Sequence, residues 1–292
     1  MTSLQRVAGT GAGQHRNRLA GRVLSHAFLL TTTLILLFPL FYMLSRSLMD
    51  PSEINTLPPR LWPSTPRFEN YVVALSRAPF ALFLLNTLKI LVLSVIGVTF
   101  SSALCGYAFA RLPFPGRNVL FGMVLATLML PGAVTMIPLY VIFRDFGWLN
   151  THYPLWLPGW FGGGAINIFL FRQFFRTIPR ELDEAALIDG ANVWQIFSRV
   201  ALPLCRPVIA VVATFAALGA WTDILGPSIY LNTQSQFTLA QGLFNVFRTS
   251  FYGTTQVHYV MAVGILFVIP PLLLFVFMQR YLIEGIATTG IK

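Results

Sequence analysis

The chain has 292 residues, a formal net charge of +10, 55% hydrophobic residues, 10% charged residues and a mean hydropathy of +0.69. A soluble domain is about 25% charged, so these figures exclude a soluble enzyme, a disordered chain and a disulfide scaffold, and point to an integral membrane protein. The basic excess is explained by arginines that orient helices and meet anionic lipid, without nucleic acid.

A spanning helix needs about 20 mainly apolar residues, and six stretches qualify. The first, 24–45, follows a basic tail (1–23) with Arg6, Arg16, Arg18 and Arg22. Its apolar run is too long for a signal peptide, and no small-x-small cleavage site follows it. It therefore reads as a membrane anchor. Pro51, Pro58, Pro59, Pro63, Pro66 and Pro79 come next. Such a run resists long helices and predicts an irregular cap with one short helix around Glu69–Ser76. The other spans are expected at 81–105, 119–143, 154–174, 208–231 and 259–279, followed by a tail, 280–292. Six spans put both termini on one side. That side also holds Arg111, Arg117, Arg172, Arg176, Arg180, Arg199, Arg206, Arg280 and Lys292. The opposite side holds only Arg46, Arg60, Arg67, Arg77, Arg144 and Arg248. Both termini are therefore expected in the cytoplasm. Cys105 and Cys205 fall on the same side, where a structural disulfide is not expected.

The segment 179–207 reads PRELDEAALIDGANVWQIFSRVALPLCRP. It is too polar to span and too regular to be a linker. Glu181, Asp183 and Glu184 after Pro179 suit the first turn of a helix. Gly190 interrupts the run. Val193, Ile196, Phe197 and Val200 then give one apolar face at helical spacing, and Pro203 is expected to end it. The product is a short helix, a glycine bend and an amphipathic helix at the membrane surface. Ala185, Ala186, Gly190 and Ala191 leave a shallow surface open to close approach. On shape alone, an ordinary interfacial helix and a docking element account for it equally well.

Glu184-Ala185-Ala186, with Asp189-Gly190-Ala191 following and Leu202-Pro203 beyond, resembles the EAA loop of ABC importer permeases, in its carbohydrate-uptake form. Gly106–Arg111 with Phe114-Pro115-Gly116-Arg117 resembles that family's turn after the second span. Pro131, Ile137-Pro138-Leu139-Tyr140, Phe171-Arg172-Gln173-Phe174-Phe175 and Glu284-Gly285 resemble further pieces of its MalG-like members. The resemblance implies an all-α polytopic protein with the type I ABC importer permease fold. It implies a second, MalF-like permease, two cytoplasmic ATPase subunits and an extracytoplasmic sugar-binding protein as partners, in the cell (inner) membrane. It also implies that Glu184, Ala185, Ala186, Asp189, Gly190, Ala191 and Pro203 couple to the ATPase, with Glu284 and Gly285 in a tail that reaches it. The chain has no G-x-x-x-x-G-K-[ST] phosphate loop, so it is not read as an enzyme. ATP and Mg are expected on the partner ATPase, and this chain is expected to carry no cofactor or metal.

Polar groups inside spans default to functional hypotheses. Asp223, with Trp221 and Thr222, lies near the middle of the fifth expected span. A carboxylate and an indole suit a sugar, by accepting hydroxyl hydrogen bonds and covering an apolar face. The bland alternative is that Asp223 bonds a neighbouring span and Trp221 packs. Asn86 resembles a family position near the outer end of the second span, with a helix-terminal hydrogen bond as its alternative. Lys89 is expected to snorkel outward. Gly162-Gly163-Gly164 and Asn167 start or bend the fourth span. Met129, Leu130, Pro131 and Val134 are a candidate apolar gate or plain core.

Two rival readings stand beside this one. An ion-coupled secondary carrier would use Asp223 as a proton site, but has no need of the loop at 179–207. An intramembrane enzyme is disfavoured because His15, His26, His152 and His258 are scattered, without H-E-x-x-H or G-x-S-x-G spacing.

Overall fold

The computed structural model describes residues 8–54, 56–247 and 257–287, with side chains over 21–54, 56–247 and 257–281. Among the described residues all regular structure is helical. The chain divides into two compact units, 1–74 with 253–265 and 75–252 with 266–292.

The first unit opens on α1 (Ala8–Ser47), one continuous helix. The backbone of the expected tail is therefore helical from Ala8, and the first span is the continuation of it. The side chains from Val23 to Phe38 are exposed, most of them apolar, as a helix in contact with lipid requires. Burial begins at Ser45, Arg46 and Ser47. Two short helices follow, α2 (Pro51–Ile54) and α3 (Glu69–Ser76), the second where the sequence predicts it. Hydrogen bonds and an ion pair tie the ends of the proline-rich stretch to the end of α1 and to α2. Arg46 is 5% exposed and donates to the Ile54 carbonyl at 2.5 Å. The Asn70 amide donates to the carbonyls of Ser47 and Met49 at 2.9 and 3.0 Å. Arg67 pairs with Asp50 at 2.7 Å.

The second unit is organised by α4 (Phe80–Arg111). It overshoots the expected second span, so 106–111 is helix and the turn falls at 112–116. Beyond it run α5 (Arg117–Ala126), α6 (Gly132–Asp145), α7 (Tyr153–Trp156), α8 (Ala165–Thr177), α9 (Glu181–Ile188) and α10 (Val193–Gln195). A π-helical turn (Ile196–Ala201) leads to α11 (Leu202–Leu204), α12 (Arg206–Thr222), α13 (Leu225–Tyr230) and α14 (Leu239–Phe247). The last helix, α15 (Val257–Ala287), belongs in part to each unit.

Gly21–Ser47, Phe80–Arg111 and Val257–Tyr281 are each long and apolar enough to cross a membrane as one helix. The other three expected spans are interrupted. The third bends by 100° between α5 and α6. Leu130 and Pro131 are extended there, as a residue preceding proline prefers. Met129, Leu130 and Val134 lie exposed at this bend. In the fourth, Gly162, Gly163 and Gly164 take φ of +100°, +68° and +93°, conformations that glycine adopts without a Cβ penalty. The fifth breaks at Asp223, extended at ψ 117°.

The core of this unit lies where α4, α8 and α12 meet. Small residues of α4 let its neighbours approach. A Cβ on Gly106 would sit 2.5 Å from the Phe171 Cβ, and one on Gly163 would collide with the Val98 carbonyl. The Ser101 hydroxyl reaches the Gly159 carbonyl at 2.9 Å, and the Trp160 indole N–H the Leu93 carbonyl at 3.1 Å. Close backbone approach with hydrogen bonding suits helix packing in lipid, where the hydrophobic drive between helices is absent.

Candidate functional site

The loop 179–207 is a small folded platform. α9 starts with Glu181, Asp183 and Glu184 in its first turn, near its positive dipole end. It stops by a Schellman arrangement: the Ala191 N–H donates to the Ala186 carbonyl at 2.9 Å, and the Gly190 N–H to the Leu187 carbonyl at 3.0 Å. Gly190 is left-handed at φ +81°, with nothing within 4 Å of a Cβ placed on it. The requirement for glycine is thus in the backbone, and Ala186, Gly190 and Ala191 are parts of one helix stop. Asn192 opens the next helix with a capping box, its side chain accepting from the Gln195 N–H at 2.9 Å while its own N–H donates to the Gln195 side chain at 2.8 Å. The Asn-x-x-Gln signal for this start is present in the sequence and was missed.

The platform is seated by aromatic packing. Ile196, Phe197, Ala201 and Cys205 are 3% exposed or less. Phe197 lies 5.2 Å from the Tyr107 ring of α4, which lies 5.4 Å from Phe175 of α8. The buried face differs from the one expected: Val193 is 48% exposed and Val200 only half-buried. The π turn, winding i to i+5, rotates the side chains after Ile196 about the axis. Nor does Pro203 end the helix. It sits within α11, and the chain turns by 80° after Leu204. Burial pushes the Cys205 thiol, at this corner outside the spans, up to about 12.

A second anchor went unseen in the sequence. Arg111, at the end of α4, pairs with Asp183 at 3.2 Å and donates to the Ile178 carbonyl at 2.6 Å. The Arg111 side chain is 5% exposed and that of Asp183 17%. Glu184, Ala185, Asp189, Gly190 and Pro203 remain exposed, and Ala186 and Ala191 half-buried. Leu187, Ile188, Val193 and Trp194 join them as exposed apolar groups. The outer surface is therefore a carboxylate, small residues and unburied hydrophobes on a fixed base. Such a surface is suited to docking and offers no nucleophile–base pair.

The residues read as a substrate path are not gathered into one pocket. Trp221 is 4% exposed, its indole N–H donating to the Phe267 carbonyl at 3.1 Å and its ring packed on Phe267 at 5.5 Å. Asp223 is half-buried and accepts the Gly226 N–H at 2.9 Å, closing the break between α12 and α13. Thr222 is exposed, its hydroxyl bonded back to the Leu218 carbonyl at 2.8 Å. Asn86 gives both amide hydrogens to the carbonyls of Ser235 and Phe237, at 2.9 and 3.0 Å. Lys89 is exposed on α4. Glu284 and Gly285 lie on the backbone of α15, beyond the residues whose side chains are described. Among the described residues no group of three or more His, Cys, Asp or Glu is placed to hold a metal ion.

The family model described as "Binding-protein-dependent transport system inner membrane component" matches residues 102–288. The diacetylchitobiose uptake system permease protein NgcG of Streptomyces coelicolor is 35% identical over 88% of this chain and 84% of its own. The sn-glycerol-3-phosphate transport system permease protein UgpE of Rhizobium meliloti is 34% identical over 93% of this chain and 98% of its own. Among solved structures, a bacterial ABC transporter involved in the import of the acidic polysaccharide alginate aligns with a TM-score of 0.79 and 24% identity, covering 91% of this chain and 98% of that one.

Proposed function

The chain belongs to the family of binding-protein-dependent transport system inner membrane components, and on that premise we propose that it is a permease subunit of an ATP-driven ABC importer for a sugar or a related polyol or glycerol-phosphate compound. The observation that carries the reading is the platform at 179–207, folded, anchored to α4 and α8, and presenting Glu184, Ala185 and exposed hydrophobes outward. The relatives named for diacetylchitobiose and sn-glycerol-3-phosphate support the substrate class.

In this reading the permease domain, 24–279, crosses the cell (inner) membrane six times, with the tails 1–23 and 280–292 in the cytoplasm. The bent and interrupted segments 117–145, 153–177 and 206–230 count as one crossing each. Two ATPase subunits hold ATP and Mg, and this chain carries neither. A second, MalF-like permease completes the path, and an extracytoplasmic sugar-binding protein delivers the cargo. Glu184, Ala185, Ala186, Asp189, Gly190, Ala191 and Pro203 form the coupling surface, and Glu284 and Gly285 lie in a tail that reaches the ATPase. Closure of the ATPase pair pushes the platform as a rigid body, because Phe197 and Arg111 leave it little freedom of its own. Along the sugar path, Asp223 and Thr222 offer polar contacts at the helix break while Trp221 backs them.

The test is reconstitution with the neighbouring ATPase, second permease and binding protein in vesicles. ATP-dependent accumulation of a sugar or glycerol phosphate, with ATPase copurifying through 179–207, is expected. Accumulation driven by a proton gradient without ATP would overturn the reading.

A further inference from the structure

Beside the platform the second unit has a cavity of about 550 Å³ lined by Arg111, Arg117, Arg172, Arg176, Arg180 and Phe121, among others. Three chain segments supply the arginines: the end of α4, the start of α5, and α8 with the residues after it. Their charge is scarcely offset. Of these five arginines only Arg111 has an ion-pair partner among the described residues, Asp183. Besides Arg111, two more of the guanidiniums are already oriented. Arg172 lies over the Phe121 ring at 3.9 Å, and Arg117 donates to the Leu112 carbonyl at 3.1 Å. Gly116, the N-cap of α5, has no side chain to cap that helix, so the positive end of its dipole adds to the field. Five guanidiniums so close repel one another unless an anion sits among them.

We infer that this cavity is a binding site for a phosphate-bearing anion, held as the headgroup of an anionic phospholipid. The forked guanidinium donors match phosphate oxygens. The adjoining surface selects the lipid source over free phosphate. Val119, Leu120 and Met123 of α5 are 63%, 47% and 60% exposed, and acyl chains laid along them would cover apolar area that inorganic phosphate leaves bare. Basic pockets at helix ends on the cytoplasmic side recognise anionic headgroups in this way. The site borders the element that carries coupling, so an occupied pocket would brace α5 and α8 against the end of α4. The leaflet assignment rests on the orientation given under Proposed function; the arginine cluster does not.

The experiment uses the assembled complex in detergent and a fluorescent phosphatidylglycerol as probe, with inorganic phosphate as competitor. Arg176→Gln with Arg180→Gln removes two exposed arginines that no packing role holds. One basic residue near an anionic surface is worth about fivefold, so binding should weaken about thirtyfold. Arg199→Gln with Arg206→Gln, the same charge loss outside the cavity, should leave it within about fivefold. Phosphatidylcholine should not bind measurably. Equal weakening in the two double variants would overturn the site in favour of diffuse attraction. Displacement of the probe by micromolar inorganic phosphate would overturn the lipid assignment. Binding needs no transport, so a complex that binds the probe but imports no sugar would count against the proposed function and leave the site standing.

Discussion

Arg111 and Asp183 meet at 3.2 Å, the one ending α4 and the other in the first turn of α9. Because the same guanidinium reaches the Ile178 carbonyl, one side chain fastens α4, the end of α8 and α9. Asp183→Asn would leave a nearly buried cation without its counter-charge, at a cost of about 1–3 kcal/mol. Thermal unfolding of the purified complex should show the loss, and uptake should fall with it. Arg111→Met combined with Asp183→Asn should lose less than the two single losses added. Strict additivity would mean that the pair is not coupled.

Glu184 is exposed and belongs to no ion pair among the described residues. Glu184→Lys should therefore leave the protein in the membrane at normal yield while ATPase copurification and sugar uptake both collapse. Normal uptake in this variant would sink the coupling assignment.

Gly190 is left-handed with open space around it, so substitution acts through strain and not through collision. Gly190→Val should cost about 1–2 kcal/mol and unravel the stop of α9, with uptake falling well below that of Ala191→Ser. Gly190→Asn, which tolerates this conformation, should keep most of the activity. Loss in Asn equal to that in Val would show that a partner needs the bare backbone there.

The Asp223 carboxylate serves the Gly226 N–H. Asp223→Asn keeps an acceptor and should retain assembly and much of the transport. Asp223→Ala should lower both, by about 1 kcal/mol of local stability and whatever the sugar loses. Uptake per assembled complex separates the two. Wild-type uptake per complex in both variants would remove Asp223 from the path.

Cys205 should resist alkylation. With its thiol raised from 9.0 to about 12 by burial, the thiolate is suppressed at pH 8. The sign follows from linkage: the unfolded chain gives up this proton near 9. The stabilisation is therefore full below that pH and is lost as the pH climbs toward 12. In a Cys105→Ser background, maleimide labelling at pH 8 should be negligible until detergent denaturation. Rapid labelling of the native complex would show that the corner opens.

Much of the molecule was legible because hydropathy and local chemistry announce it. α3, the acidic start of α9 and the glycine after it follow from residues that are neighbours in sequence. The glycine triplet 162–164 marks the start or bend of the fourth expected span, but the breaks inside the third and fifth did not show, because a window of apolar residues scores alike whether its backbone is continuous or folded at Pro131 or Asp223. The buried face of 193–204 was misjudged for a related reason: spacing rules assume 3.6 residues per turn, and the π turn at Ile196 departs from it. The Arg111–Asp183 pair and the arginine cavity are long-range, and nothing local marks them. Trp221 is read for its chemistry, with packing as the alternative, and Asn86 by resemblance, with a helix-terminal hydrogen bond as the alternative; their donors are engaged by the carbonyls of Phe267, Ser235 and Phe237.

The seam between α4 and the 159–171 stretch lacks room for a single added methyl at Gly106 or Gly163. Parts meshed this closely cannot slide, since any register shift would drive a larger side chain into the space of a glycine. The travel of a transport cycle must then be found elsewhere, at joints where the backbone is already folded. Leu130–Pro131 and Asp223–Ile224 are such joints. Pinning either, by a crosslink between its flanking helices, should arrest cycling, whereas a crosslink across the glycine seam should be carried along unnoticed.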